Sequence, residues 1–149
     1  AKAAGAHGMV GGQMLDLLGS GTPPTPESVD AIHLAKTAAI IRAACACGGI
    51  AAGADADSAA ALDTFGRHLG LAFQITDDVL DVVGTAPELG KTAGKDADAG
   101  KSTYPALFGV EASRAAAARH IDAARRSLER WPRSARLQEL AAWVGSRLH

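Results

Sequence analysis

The 149-residue sequence predicts an all-α fold, on three observations. Apolar residues recur at helical spacing, as in Leu62, Phe65, Leu69, Ala72, Val79, Leu80 and Val83. Helix-start and helix-stop residues bracket those stretches. No run alternates β-branched with polar residues, so no sheet is expected. The length suits a single domain over 1–149 with a substantial core.

The first expected helix occupies residues 1 to about 18, with Met9, Val10, Met14, Leu15 and Leu18 as its apolar content. Gly19-Ser20-Gly21-Thr22-Pro23-Pro24 breaks it. Thr25, Pro26 and Glu27 then give a capping hydroxyl, a proline suited to the first turn and an acid beside the positive dipole end. This second helix passes through Ile32, Ala35, Ile40 and Ile41 to the glycines near 48. Asp55 or Asp57 caps a long third helix that reaches about Val83, roughly 40 Å, with Gly84 to end it. Pro87 to Ser102 reads as a loop and Tyr104 to Phe108 as a short apolar segment. A helix from Glu111 to about Arg130 carries Ile121, Ala124 and Leu128 on one side, and Pro132 stops it. Ser134 is placed to cap a last helix that packs through Leu137, Leu140, Ala141, Val144 and Leu148.

Lys and Arg total 15 against 16 acidic residues, and aromatics are 4% of the chain. Neither the charge nor the aromatic content suits a nucleic-acid binder, which needs basic surface and stacking platforms. The longest uncharged apolar run, Ala43 to Ala54, is too short to span a bilayer, so no membrane span is expected. No basic stretch leads into an apolar core, so no signal peptide is visible. Cys45 and Cys47 are two apart on an expected helix and point in different directions. They read as buried, reduced thiols of a cytoplasmic protein.

One stretch concentrates the chemistry: Phe73-Gln74-Ile75-Thr76-Asp77-Asp78-Val79-Leu80-Asp81. Gln74, Asp77, Asp78 and Asp81 are spaced i, i+3, i+4, i+7 and share an arc of roughly 100° on one helix face. Like charges at such spacing destabilise a helix by a few tenths of a kcal/mol per pair. Three carboxylates on one stripe therefore call for a partner, and a hard divalent cation such as Mg²⁺ accepts carboxylate oxygens. A solvated acidic face is the alternative, and the apolar flanks argue against it. Gln13 with Asp16, and His33 with Lys36 and Thr37, also lie at helical spacing. Lys36 and Thr37 could hold an anion, although a helix lysine is ordinarily just solvated.

The loop holds three Gly-Lys pairs, at 90–91, 94–95 and 100–101. Glycine permits close backbone approach to phosphate oxygens and lysine adds a mobile charge. A Walker loop is excluded: that pattern needs four residues between its first glycine and Gly-Lys, and here five intervene after Gly84 and after Gly94. A long helix, not a strand, precedes it. What remains is a phosphate-seeking loop after a carboxylate-bearing helix.

Taken in order, Gly11-Gly12-Gln13-Met14-Leu15-Asp16, Lys36-Thr37, Phe73-Gln74-x-x-Asp77-Asp78-x-x-Asp81, Gly90-Lys91, Gly94-Lys95-Asp96 and Gly100-Lys101-Ser102-Thr103 resemble the trans-isoprenyl diphosphate synthases, most closely the short-chain farnesyl and geranylgeranyl types. The resemblance covers nearly the whole chain. It implies the isoprenoid synthase fold, antiparallel helices around a deep central cavity. Asp77, Asp78 and Asp81 match the family's second aspartate-rich motif and would hold Mg²⁺ bridging to a diphosphate. Lys36 and Lys91 would touch the allylic diphosphate, with Lys101 nearby and Gln13 among the substrate contacts. Thr37 and Gln74 would line the allylic chain where cationic carbon develops. The expected reaction condenses dimethylallyl, geranyl or farnesyl diphosphate with isopentenyl diphosphate.

Members of that family are considerably longer at the N-terminus, where the first aspartate-rich motif lies. The chain is therefore expected to be the C-terminal half of a synthase domain, inactive until joined to the N-terminal half, and a homodimer by resemblance. Two alternatives stay open. One is a non-catalytic regulatory subunit of a heteromeric synthase. The other is a class I terpene cyclase, whose Asn/Asp, Ser/Thr, Glu metal pattern is not seen here.

Overall fold

The computed structural model describes residues 1–83 and 102–148. Among these residues every regular element is helical, as the spacing predicts. A 3₁₀ turn over Lys2–Ala4 precedes α1 (Met9–Gly19), so the first helix starts later than expected. Gly5 and Gly8 interrupt it: helix-interior glycine costs about 1 kcal/mol relative to alanine, and Gly8 stands at the N-cap. Then follow α2 (Pro26–His33), a π-helical turn over Leu34–Ala38 and α3 (Ala39–Ala51). The long α4 (Ala56–Val83) comes next, and after the undescribed stretch α5 (Tyr104–Phe108), α6 (Val110–Ser127) and α7 (Ala135–Ser146).

The starts of α2 and α4 follow from their caps. Thr25 Oγ1 accepts the Ser28 N–H at 3.2 Å while Ser28 Oγ accepts the Thr25 N–H at 3.0 Å, a reciprocal capping box. Asp55 Oδ1 accepts the Ser58 N–H at 2.8 Å, which makes Asp55 the cap of α4. Ser134 occupies the N-cap of α7, but its hydroxyl donates to Leu128 O at 3.3 Å and caps nothing. Helix α6 stops at Ser127, before Pro132 requires it.

Helix α4 is the spine, with α3 along one side and α6 along another. Phe65, Leu69 and Ala72 pack with Ile121, Ala124, Leu128, Ala141 and Val144 in one core, and Ile75 and Val79 with Ala116, Ala117 and Leu148 in a second. Each large side chain buried there contributes about 1.5–3 kcal/mol. Leu140 and Val83, expected inside, are 42% and 40% exposed. Cys47 is exposed rather than buried, Cys45 is half-buried, and both are free thiols.

Helices α2 and α3 join through the π turn into a continuous run of 26 residues from Pro26 to Ala51, within which an 18-residue stretch reaches a mean hydropathy of 1.4, long and apolar enough to cross a membrane by length and composition. The run carries Glu27, Asp30, Lys36 and Arg42, and the expectation of no membrane span rests on the shorter uncharged stretch from Ala43 to Ala54. Within the run Arg42 makes a bidentate pair with Asp63 of α4, Nε–Oδ1 2.9 Å and Nη2–Oδ2 2.8 Å.

Candidate functional site

The site is built where three helix backbones come unusually close. A Cβ added at Gly12 of α1 would lie 2.3 Å from the Lys36 backbone nitrogen, and one at Gly70 of α4 would lie 2.5 Å from Ala38 Cα. Only glycine permits both approaches. Between them sits the π turn, a wider helical turn that recurs at functional sites. It aims neighbouring residues at different helices. Lys36 Nζ donates to Asp16 Oδ2 on α1 at 2.7 Å, whereas Thr37 Oγ1 donates to Gln74 Oε1 on α4 at 2.6 Å.

From Gln74 the hydrogen bonds continue along α4. Gln74 Nε2 donates to Asp78 Oδ1 at 3.0 Å, one turn on. Asp78 Oδ2 takes two further donors, His33 Nε2 at 3.2 Å and the Tyr104 backbone N–H at 3.1 Å. Asp78 is only 5% exposed, so these donors are what make a buried carboxylate tolerable. The Tyr104 ring stacks on His33 with centroids 5.5 Å apart, and its hydroxyl donates to Asp30 Oδ1 at 3.1 Å. Burial, reinforced by Asp30, pushes the Tyr104 phenol up to about 12, so it stays protonated as that donor. Asp16, His33, Lys36, Gln74 and Asp78 converge with Ser102 and Thr103 on a narrow polar cleft of about 40 Å³.

Asp77 faces elsewhere. Its Oδ1 accepts from Arg147 Nη2 at 2.9 Å, and that guanidinium also lies over Phe73 and Trp143, 5.1 and 5.7 Å from the ring centroids. Asp77 and Asp78 are the two extremes of the expected 100° arc, which explains how one acidic stripe serves two neighbours. Among the described residues no three His, Cys, Asp or Glu side chains form a ready metal cluster. Hard carboxylate oxygens suit Mg²⁺, but the three aspartates fit it unequally. Asp77, 38% exposed, and Asp81, one turn further along α4, have the chemistry and access for a cation. Asp78, expected as a third ligand, has both oxygens engaged by protein N–H groups.

Lys36 and Thr37 also line an open groove of about 510 Å³ with Met9, Val10, Gln13, Met14 and Leu17, which brings Gln13 and Lys36 to one groove. Lys91 and Lys101 lie outside the described residues. In the sequence, His33, Ser102 and Thr103 fall within patterns that assign them no role, and nothing singles out Arg147. His33 had a signal, its i, i+3, i+4 spacing with Lys36 and Thr37, while Arg147 meets Asp77 only through the packing of the chain end on α4.

Comparison with known proteins adds a separate line of support. Residues 3–137 match the family model described as polyprenyl synthetase. The chain is 48% identical over 130 residues to farnesyl diphosphate synthase of Escherichia coli (strain K12), covering 87% of this chain and 44% of that protein. It is 44% identical over 128 residues to farnesyl diphosphate synthase of Geobacillus stearothermophilus, covering 86% and 43%. It superposes with a TM-score of 0.82 and 31% identity on the crystal structure of a geranyltransferase from Helicobacter pylori complexed with magnesium and isoprenyl diphosphate, covering 99% of this chain and 49% of that one. The chain thus spans less than half the length of the curated relatives it matches.

Proposed function

We propose, on the footing that this chain belongs to the polyprenyl synthetase family, that it supplies the allylic half-site of a prenyltransferase. That enzyme would condense dimethylallyl, geranyl or farnesyl diphosphate with isopentenyl diphosphate. The observation that carries this reading is the π turn set against α4, which puts the Lys36 ammonium and the Thr37 hydroxyl, itself bonded to the Gln74 amide, on one apolar groove. An allylic diphosphate has the matching halves, an anionic head and an apolar tail.

In that pose Lys36 draws the diphosphate by charge and Gln13 adds a polar contact at the rim. Thr37 and Gln74 stabilise the allylic carbon as positive charge develops, because fixed dipoles favour the transition state without bonding to it. Asp77 and Asp81 would hold Mg²⁺, which when bound neutralises charge on the departing diphosphate. Lys91 and Lys101 are retained as diphosphate contacts on the strength of the resemblance. Activity would require the remaining portion that the relatives carry, with a homodimer as the working assembly.

The test is chain elongation with labelled isopentenyl diphosphate and each allylic primer in MgCl₂. It is run on this chain alone and on the chain joined to an N-terminal portion from a relative. Product from the joined protein only is expected. Absence of product with all three primers would overturn the reading. Product appearing only when an active partner synthase is added would favour the regulatory subunit instead.

A further inference from the structure

We infer that His33 is a positioning residue, which through Asp78 and Gln74 fixes the polarity of the Thr37 hydroxyl. The inference deepens the proposed function and rests on it. It follows from counting protons along the hydrogen-bonded series from α2 to α4 and back to the π turn.

An ionised carboxylate only accepts hydrogen bonds. Asp78 Oδ1, 3.0 Å from the Gln74 amide, must therefore face its NH₂ end. The Gln74 carbonyl is then turned the other way, onto Thr37 Oγ1 at 2.6 Å. That carbonyl cannot donate, so Thr37 gives it the only proton its hydroxyl has. What Thr37 keeps for the groove is acceptor capacity, the negative end of the dipole. A hydroxyl free to rotate would present its positive end part of the time. Orientation fixed before the reaction is what makes such a dipole effective.

His33 holds the far end of the series. It is 2% exposed, and its Nε2 lies 3.2 Å from Asp78 Oδ2. That contact requires the proton on Nε2. Its Nδ1 is buried with no hydrogen-bond partner, and as a bare acceptor it is the less costly ring nitrogen to leave so. Stacking against Tyr104 fixes the ring plane, and the Tyr104 N–H shares Asp78 Oδ2, so the carboxylate is gripped from two elements besides its own helix. None of these donors needs to touch substrate. Their effect reaches it through Gln74 and Thr37.

The test uses His33→Leu, which removes the donor, and His33→Gln, whose amide can still donate to Asp78. In the joined, active protein, His33→Leu is expected to lower kcat about tenfold or more, with KM for the allylic diphosphate within about threefold of the original. His33→Gln should recover most of the lost kcat. In ¹⁵N-histidine-labelled chain, the His33 ring should show a protonated Nε2 and an unprotonated Nδ1. Unchanged kcat in His33→Leu, a loss carried by KM, failure of His33→Gln to recover, or a proton on Nδ1 would each overturn the inference. If His33→Leu does not fold, the glutamine variant and the ring spectrum still decide. Absence of turnover in the unmodified joined protein overturns the prenyl-transfer reading itself, which separates the two failures.

Discussion

Gly70→Ala is the most direct test of how the site is assembled. The new methyl would meet Ala38 Cα at 2.5 Å and Ala38 Cβ at 2.7 Å, neither of which can swing away. Carbon contacts settle near 3.5–4.0 Å, so α4 and the π turn must part by about 1 Å. Overpacking of this kind costs about 1–3 kcal/mol. A shift of that size also stretches the 2.6 Å Thr37–Gln74 bond, and losing it costs about 0.5–1.5 kcal/mol. The alanine returns about 1 kcal/mol through helix propensity. The net expectation is a loss of about 0.5–3.5 kcal/mol, a drop in Tm of roughly 1–14 °C for a chain of this size. Gly48→Ala is the matched control, because its Cβ would meet nothing within 4 Å and should stabilise by about 0.5–1 kcal/mol. Urea unfolding followed by circular dichroism at 222 nm reads both. Gly70→Ala as stable as Gly48→Ala would refute the close crossing and the account of the π turn built on it.

A second expectation concerns pH. His68 and His120 face each other across α4 and α6 with their Nδ1 atoms 2.9 Å apart, so one ring donates and the other must be unprotonated there. Burial and then the His68 charge push His120 down to about 4, and burial with the Arg67 and Arg126 charges lowers His68 as well. Between about 4 and the ordinary 6.5 the unfolded chain therefore binds more protons than the folded one. Stability is full above pH 6.5 and falls as the pH drops toward 4. His120→Gln should flatten that dependence in urea titrations at pH 7 and 5, and an unchanged slope would count against the pairing. Asp55→Ala removes the α4 cap and should cost about 1 kcal/mol in the same assay. In the joined protein, Asp77→Ala should lower turnover by at least about a hundredfold with the helical spectrum intact; a near-normal rate would dismiss it as a ligand. Chelation with EDTA should abolish elongation and added MgCl₂ restore it, so persistent activity in EDTA would exclude a metal requirement.

What was legible in the sequence was whatever local chemistry decides. Thr25 with Pro26, Asp55, and the apolar spacing from Phe65 to Val79 each act within a turn or two, and each produced the expected element. The π turn was not legible, because nothing in Leu34-Ala35-Lys36-Thr37-Ala38 prefers it over an α-helix. It sits where Gly12 and Gly70, 22 residues earlier and 36 later than Leu34, crowd the same backbone. The acidic stripe was legible as a stripe but not in its division of labour, since helical spacing gives an angle and says nothing of what packs at either edge.

On the proposed reading, that division bears on why the stripe carries more carboxylates than a cation needs. A carboxylate proposed to hold a mobile ion must be accessible, and Asp77 is half-exposed even with Arg147 on its Oδ1. A carboxylate that orients an amide must have all its partners fixed, as Asp78 does. One side chain cannot meet both demands, because each additional protein donor weakens its hold on a cation. Placing the two aspartates in adjacent positions turns them about 100° apart on the helix, which would separate the two proposed tasks while keeping both about one turn from Gln74. The buried hydrogen-bond series behind the π turn is therefore as much part of the site as the acids that face solvent.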